Sequence, residues 1–143
     1  MRTSILASVD TDALRHNLGL ARARAPRSRV MAVIKANGYG HGIETVARAL
    51  GGADGLAVAR LDEALALRAA GIESRLLLLE GVFDAAQLAA AAQARVDVMV
   101  HSAEQLAILE QRDGREPLVA WLKVDTGMNR LRPSTSAMTS ISH

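Results

Sequence analysis

Five short, largely apolar runs alternate with stretches of helical spacing, and this alternation restricts the fold more than any other feature of the sequence. The runs are Val30–Ile34, Leu56–Ala59, Leu76–Leu79, Val96–Val100 and Leu118–Val124. Between them, Ile43, Val46, Ala47 and Leu50 fall at i, i+3, i+4 and i+7, one apolar stripe on a helix. Leu14, Leu18 and Ala21 mark an earlier helix, with Asp10 or Thr11 as its cap. Ser102-Ala103-Glu104-Gln105 has the capping-box form, and the helix it starts should turn Leu106 and Leu109 inward. Asp84-Ala85-Ala86-Gln87 is a similar helix start. Buried strands alternating with amphipathic helices predict a parallel sheet covered by helices, an α/β fold. The repeat, about two dozen residues, is short for a doubly wound unit and suits a (β/α) barrel. Five strands fall short of the eight that close such a barrel. An open five-stranded sheet and an incomplete barrel both satisfy the periodicity.

Composition narrows the class. The 143 residues are half hydrophobic and 22% charged, one domain of ordinary globular type. There is no cysteine, which excludes disulfides and thiolate chemistry. No apolar leader or membrane-length segment occurs, so the default compartment is the cytoplasm and no membrane partner is predicted. The formal charge is +2, with arginines concentrated at Arg22, Arg24, Arg27 and Arg29. The chain's aromatic residues are Tyr39, Phe83 and Trp121, none beside that cluster. Without stacking residues the cluster reads as cations at a helix C-terminus, and no nucleic-acid partner is predicted. Residues 132–143 are rich in serine and threonine without helical or strand period, and predict a disordered tail behind a domain spanning 1–131.

Chemistry concentrates after the first run. Lys35 directly follows apolar residues, so it should emerge at the C-terminal end of a buried strand, where parallel α/β folds place their sites. Asn37-Gly38-Tyr39-Gly40-His41-Gly42 then supplies three glycines before the next helix, which permits unusual backbone angles and close approach of a ligand. The following helix N-terminus suits a phosphate. A lysine so placed can form an imine if its neutral amine is available. By residue type alone, such a lysine often only reaches out to water, and His41 reads as a loop residue rather than a catalyst. His16, His41, His101 and the carboxylates show no metal-ligand spacing, so no metal is predicted.

The string Ala32-Val33-Ile34-Lys35-Ala36-Asn37-Gly38-Tyr39-Gly40-His41-Gly42 closely resembles the pyridoxal phosphate attachment segment of alanine racemases. Ser8 to Asn17 looks like that family's opening strand and first helix. Gly55 to Ala59, Glu63-Ala64 and Leu67 to Ile72 look like its second barrel unit. Leu122-Lys123-Val124-Asp125-Thr126-Gly127-Met128-Asn129-Arg130-Leu131 resembles its fifth strand and loop. The resemblance runs from about Ile5 to Leu131 and implies an incomplete N-terminal (β/α) barrel, about five of eight βα units. It implies pyridoxal 5'-phosphate as cofactor and interconversion of L- and D-alanine, for peptidoglycan or alanine catabolism. Lys35 would carry the cofactor and act as one of two catalytic bases. Tyr39 would support the cofactor phosphate, and Arg130 would contact the substrate carboxylate, for which a guanidinium fork is suited. Lys123 matches a lysine that is carbamylated in some members, and Met128 lines the same loop. Trp121 reads as packing.

After Leu131 the sequence departs from the family, whose members continue through three more strands and a β-rich domain. That part holds the opposite base, a tyrosine given across a homodimer interface. Racemisation needs a proton donor on each face of a planar carbanion, so one base cannot complete it efficiently. The alternative reading is therefore a truncated, non-catalytic fragment that at most binds the cofactor. A related amino-acid racemase or another cofactor-handling barrel protein is a lesser alternative.

Overall fold

The computed structural model describes residues 5–114, 116–128 and 130. Helix α1 (Thr11–Arg24) is capped by Asp10, whose carboxylate accepts from the backbone N–H of Asp12 and Ala13. It is followed by β1 (Met31–Val33), the one-turn α2 (Lys35–Tyr39), α3 (Ile43–Ala49), β2 (Gly55–Val58), α4 (Leu61–Ala69) and β3 (Leu76–Leu78). Helix α5 (Ala85–Gln93), β4 (Val96–Val100), α6 (Ala103–Glu110) and β5 (Ala120–Leu122) complete the order. All five strands fall inside the apolar runs or within one residue of them. Asp84 and Ser102 cap α5 and α6, as their spacing predicts. Helix α6 holds Leu106 and Leu109 only half-buried; Gln105 is its buried residue.

The strands pair in parallel in the order β1-β2-β3-β4-β5, with Leu56 opposite Leu76, Leu76 opposite Val96, and Val98 opposite Ala120. A doubly wound sheet reverses its order at a switch point and carries helices on both faces. Here the order never reverses. Ile34, Leu56, Val58, Leu76, Leu78, Val96 and Val98 form one core with Val46 and Ala47 of α3, Ala64 and Leu67 of α4, and Leu88 and Ala91 of α5. Leu14 of α1 and Ile108 and Leu109 of α6 pack on the same cluster. All the layers thus lie on one side of the sheet. Sequential winding with helices on a single face is the winding of a barrel wall, and the fold is an incomplete (β/α) barrel.

Because strand side chains alternate, Val33, Ala57, Leu77, Asp97, Met99 and Trp121 occupy the opposite, inner face. Val33 and Trp121 are 41% and 38% exposed there. Residues 5–10 form no strand, although Ser8–Asp10 resemble an opening strand in the family. A strand exists through its ladder, none of the five takes this segment as a partner, and Ile5 and Leu6 are 97% and 89% exposed. Of the arginine cluster, Arg22 ties the end of α1 to the turn before β2: it donates to Gly52 O and Asp54, and Asp54 accepts from Val30 N–H at 2.7 Å. That hydrogen bond, with the Arg22 guanidinium, holds the Asp54 carboxyl below its ordinary range. No described helix is long and apolar enough to cross a membrane. Residues 132–143, read as a tail, lie outside the described residues.

Candidate active site

The inner face ends, at the C-terminal ends of the strands, in a cleft of about 840 Å³. Its walls repeat one rule: the residue that follows a strand on the inner side turns into it. Lys35 does so after β1, Ala59 after β2, Leu79 after β3, His101 after β4 and Lys123 after β5. Lys35 continues the alternation Met31, Val33, Lys35, and is half-buried. The chain contains two lysines, Lys35 and Lys123, and both line this one cleft together with Arg130. Three cations, with Glu80 and His101 as the other polar residues and Leu79, Phe83, Met99 and Trp121 among the apolar walls, suit a flat organic ligand bearing anionic groups.

The turn after Lys35 is wound left-handed. Ala36, Asn37 and Gly38 have φ/ψ of 53/54, 53/45 and 62/38, and Tyr39 has φ 54. Such a conformation costs an L-residue about 1–2 kcal/mol each, so it persists only where the surroundings impose it. Gly38 is buried at the point of closest approach: a Cβ there would stand 2.9 Å from Val46 Cγ2. Asn37 holds the exit, its side-chain oxygen accepting from Ile43 N–H at 3.0 Å and its carbonyl from Gly42 N–H at 2.9 Å. His41 serves the loop, as its sequence context indicates, with its Nδ1 2.9 Å from Gly38 O. Tyr39, in the same turn as Lys35, is 58% exposed and does not line the cleft.

On the far wall, Asp125 accepts from Gly127 N–H at 3.0 Å and from Arg130 N–H at 3.2 Å, which sets the loop that brings Arg130 back to the cleft. Met128 is 73% exposed. Trp121 does more than pack. Its indole N–H donates to Asp97 at 2.9 Å, Asp97 pairs with Arg75 at 2.6 Å, and the Arg75 guanidinium lies 5.3 Å from the indole centroid. The pairing of Trp121, Asp97 and Arg75 and the placing of His101 escape the reading by motif, which takes Asp125 only as part of its segment. The strand-end rule that singles out Lys35 also singles out His101. The Asp97 pairing joins residues more than twenty positions apart and has no local signal.

Residues 9–132 match the family model for the alanine racemase N-terminal domain. The chain belongs to the alanine racemase family. An alanine racemase of Shewanella baltica is 54% identical over 125 residues, covering 87% of this chain and 35% of that protein. The structure of the biosynthetic alanine racemase of Pseudomonas aeruginosa superposes with a TM-score of 0.84 at 45% identity, over 92% of this chain and 37% of that one. A histidine racemase of Leuconostoc mesenteroides superposes with a TM-score of 0.78 at 30% identity, over 90% of this chain and 37% of that one. The chain thus spans little more than a third of the length of these relatives.

Proposed function

We propose that this chain is the cofactor-bearing part of a pyridoxal phosphate-dependent alanine racemase, with Lys35 as the cofactor lysine. The observation that carries the reading is the convergence of both lysines and Arg130 on one cleft at the strand ends. That donor set fits the cofactor: an amine to bear it, a guanidinium for a substrate carboxylate, and apolar walls for its ring. When bound, pyridoxal phosphate supplies an electron sink for the carbanion left by loss of the substrate Cα proton.

The chain's residues divide the remaining work. The Lys35 amine takes and returns the Cα proton on one face. Tyr39, exposed at the end of the left-handed turn, supports the phosphate with its hydroxyl, a role carried by the family motif and not by the cleft lining. The Arg130 fork binds the substrate carboxylate, and Lys123, carbamylated, steadies it. Tyr39 is the chain's single tyrosine, so the opposite base comes from elsewhere in the working homodimer. Alanine is favoured as substrate because the relatives around 50% identical are named alanine racemases. The likeness to a histidine racemase supports a choice of side chain made outside this part of the fold.

Incubation with pyridoxal phosphate and alanine in D2O tests the reading by mass spectrometry and chiral chromatography. Exchange of the Cα hydrogen should exceed that with free cofactor and outpace inversion, because one base serves one face. Lys35→Ala should cut the exchange by about 10²–10⁴-fold. Exchange no faster than with free cofactor, or undiminished in the variant, contradicts the proposal.

A further inference from the structure

Every hydrogen bond but one of the left-handed turn closes within residues 34–43, among the described residues. The exception runs sideways. Asn37 N–H donates to Glu63 Oε1 at 3.4 Å, while Glu63 Oε2 accepts from Ala59 N–H at 3.0 Å and Arg60 N–H at 3.1 Å. One carboxylate therefore joins the lysine turn after β1 to the head of α4 after β2, with one oxygen on each side.

The same place on the next two helices shows why an acid stands here. Gln87 of α5 and Gln105 of α6 accept from Phe83 N–H at 3.1 Å and His101 N–H at 2.9 Å, as Glu63 accepts from Ala59. Gln105 also reaches back to the preceding loop, where it meets a carbonyl: its amide donates to Glu80 O at 2.8 Å. Glu63 reaches back and meets an N–H instead. A carboxylate accepts with both oxygens, whereas a carboxamide carries one acceptor and one donor group. The residue type follows the partner that the preceding loop presents.

We propose that Glu63 is a positioning residue that anchors the strained turn Ala36–Tyr39 to the neighbouring βα unit, and so fixes where Lys35 stands in the cleft. This deepens the reading of Lys35 as the cofactor lysine and rests on it. The test is therefore made without cofactor, so that either can fail alone. Glu63→Gln keeps an oxygen for Ala59 and Arg60 but turns an NH2 toward the Asn37 N–H. In the full chain, hydrogen exchange at residues 36–42 should quicken at least five-fold while α4 amides stay within two-fold. Trace acetylation of Lys35 relative to Lys123 should shift at least three-fold. Unchanged turn exchange and labelling ratio overturn the proposal, as does loosening of α4 equal to that of the turn, which would make Glu63 only a helix cap. In the unmutated chain, the Asn37 amide should exchange at least ten-fold slower than an unstructured amide. Exchange at the unstructured rate overturns the proposal whatever the variant does.

Discussion

At the scale of single residues, the site is decided by positions whose side chains are small or absent. Gly38 lets the lysine turn lie against α3, and no other residue type gives both its positive φ and its closeness to Val46. Gly38→Ala should cost about 3 kcal/mol in urea unfolding, from overpacking and left-handed strain together. Adding Val46→Ala in that background should remove the steric part and make the pair less damaging than the sum of the two changes. Additive losses would show that Gly38 is not held by that contact. The glycines were legible in the sequence as a sign of unusual backbone. That Ala36 and Asn37 share the left-handed winding was not, because the surroundings impose it against their own preference.

Among the elements, the strands were the most legible, since buried parallel strands read as nearly continuous apolar runs wherever they lie. The caps were legible too, because Asp10, Asp84 and Ser102 act within three residues of themselves. What ties one element to the next was not legible. Arg68, near the end of α4, donates to Ala94 O at 2.8 Å, Ile72 O at 2.5 Å, Ser74 O at 2.9 Å and Arg95 O at 3.0 Å. It gathers carbonyls from the α4–β3 and α5–β4 connections, a convergence that only the fold creates. A lysine ammonium is a compact donor and cannot span that fork. Arg68→Lys should lower stability by about 2 kcal/mol with the charge retained. An unchanged denaturation midpoint would reduce the four hydrogen bonds to surface decoration.

For the whole molecule, sequential strand order and helices on one face settle what periodicity left open between a flat sheet and a barrel wall. The wall explains the cleft: a parallel sheet gathers all its strand ends at one rim, so Lys35, His101 and Lys123 meet although up to 88 positions separate them in the sequence. The same placement gives the most direct test of Lys35 as the cofactor lysine. The unmutated 143-residue chain is incubated with pyridoxal phosphate, reduced with borohydride, digested and mapped by mass spectrometry. With Lys35 and Lys123 as its two lysines, in one cleft, the chain contains its own control. The pyridoxyl group should sit on Lys35 in at least ten-fold excess over Lys123 and the N-terminal amine. Label concentrated on Lys123, or divided evenly between the two lysines, would contradict it.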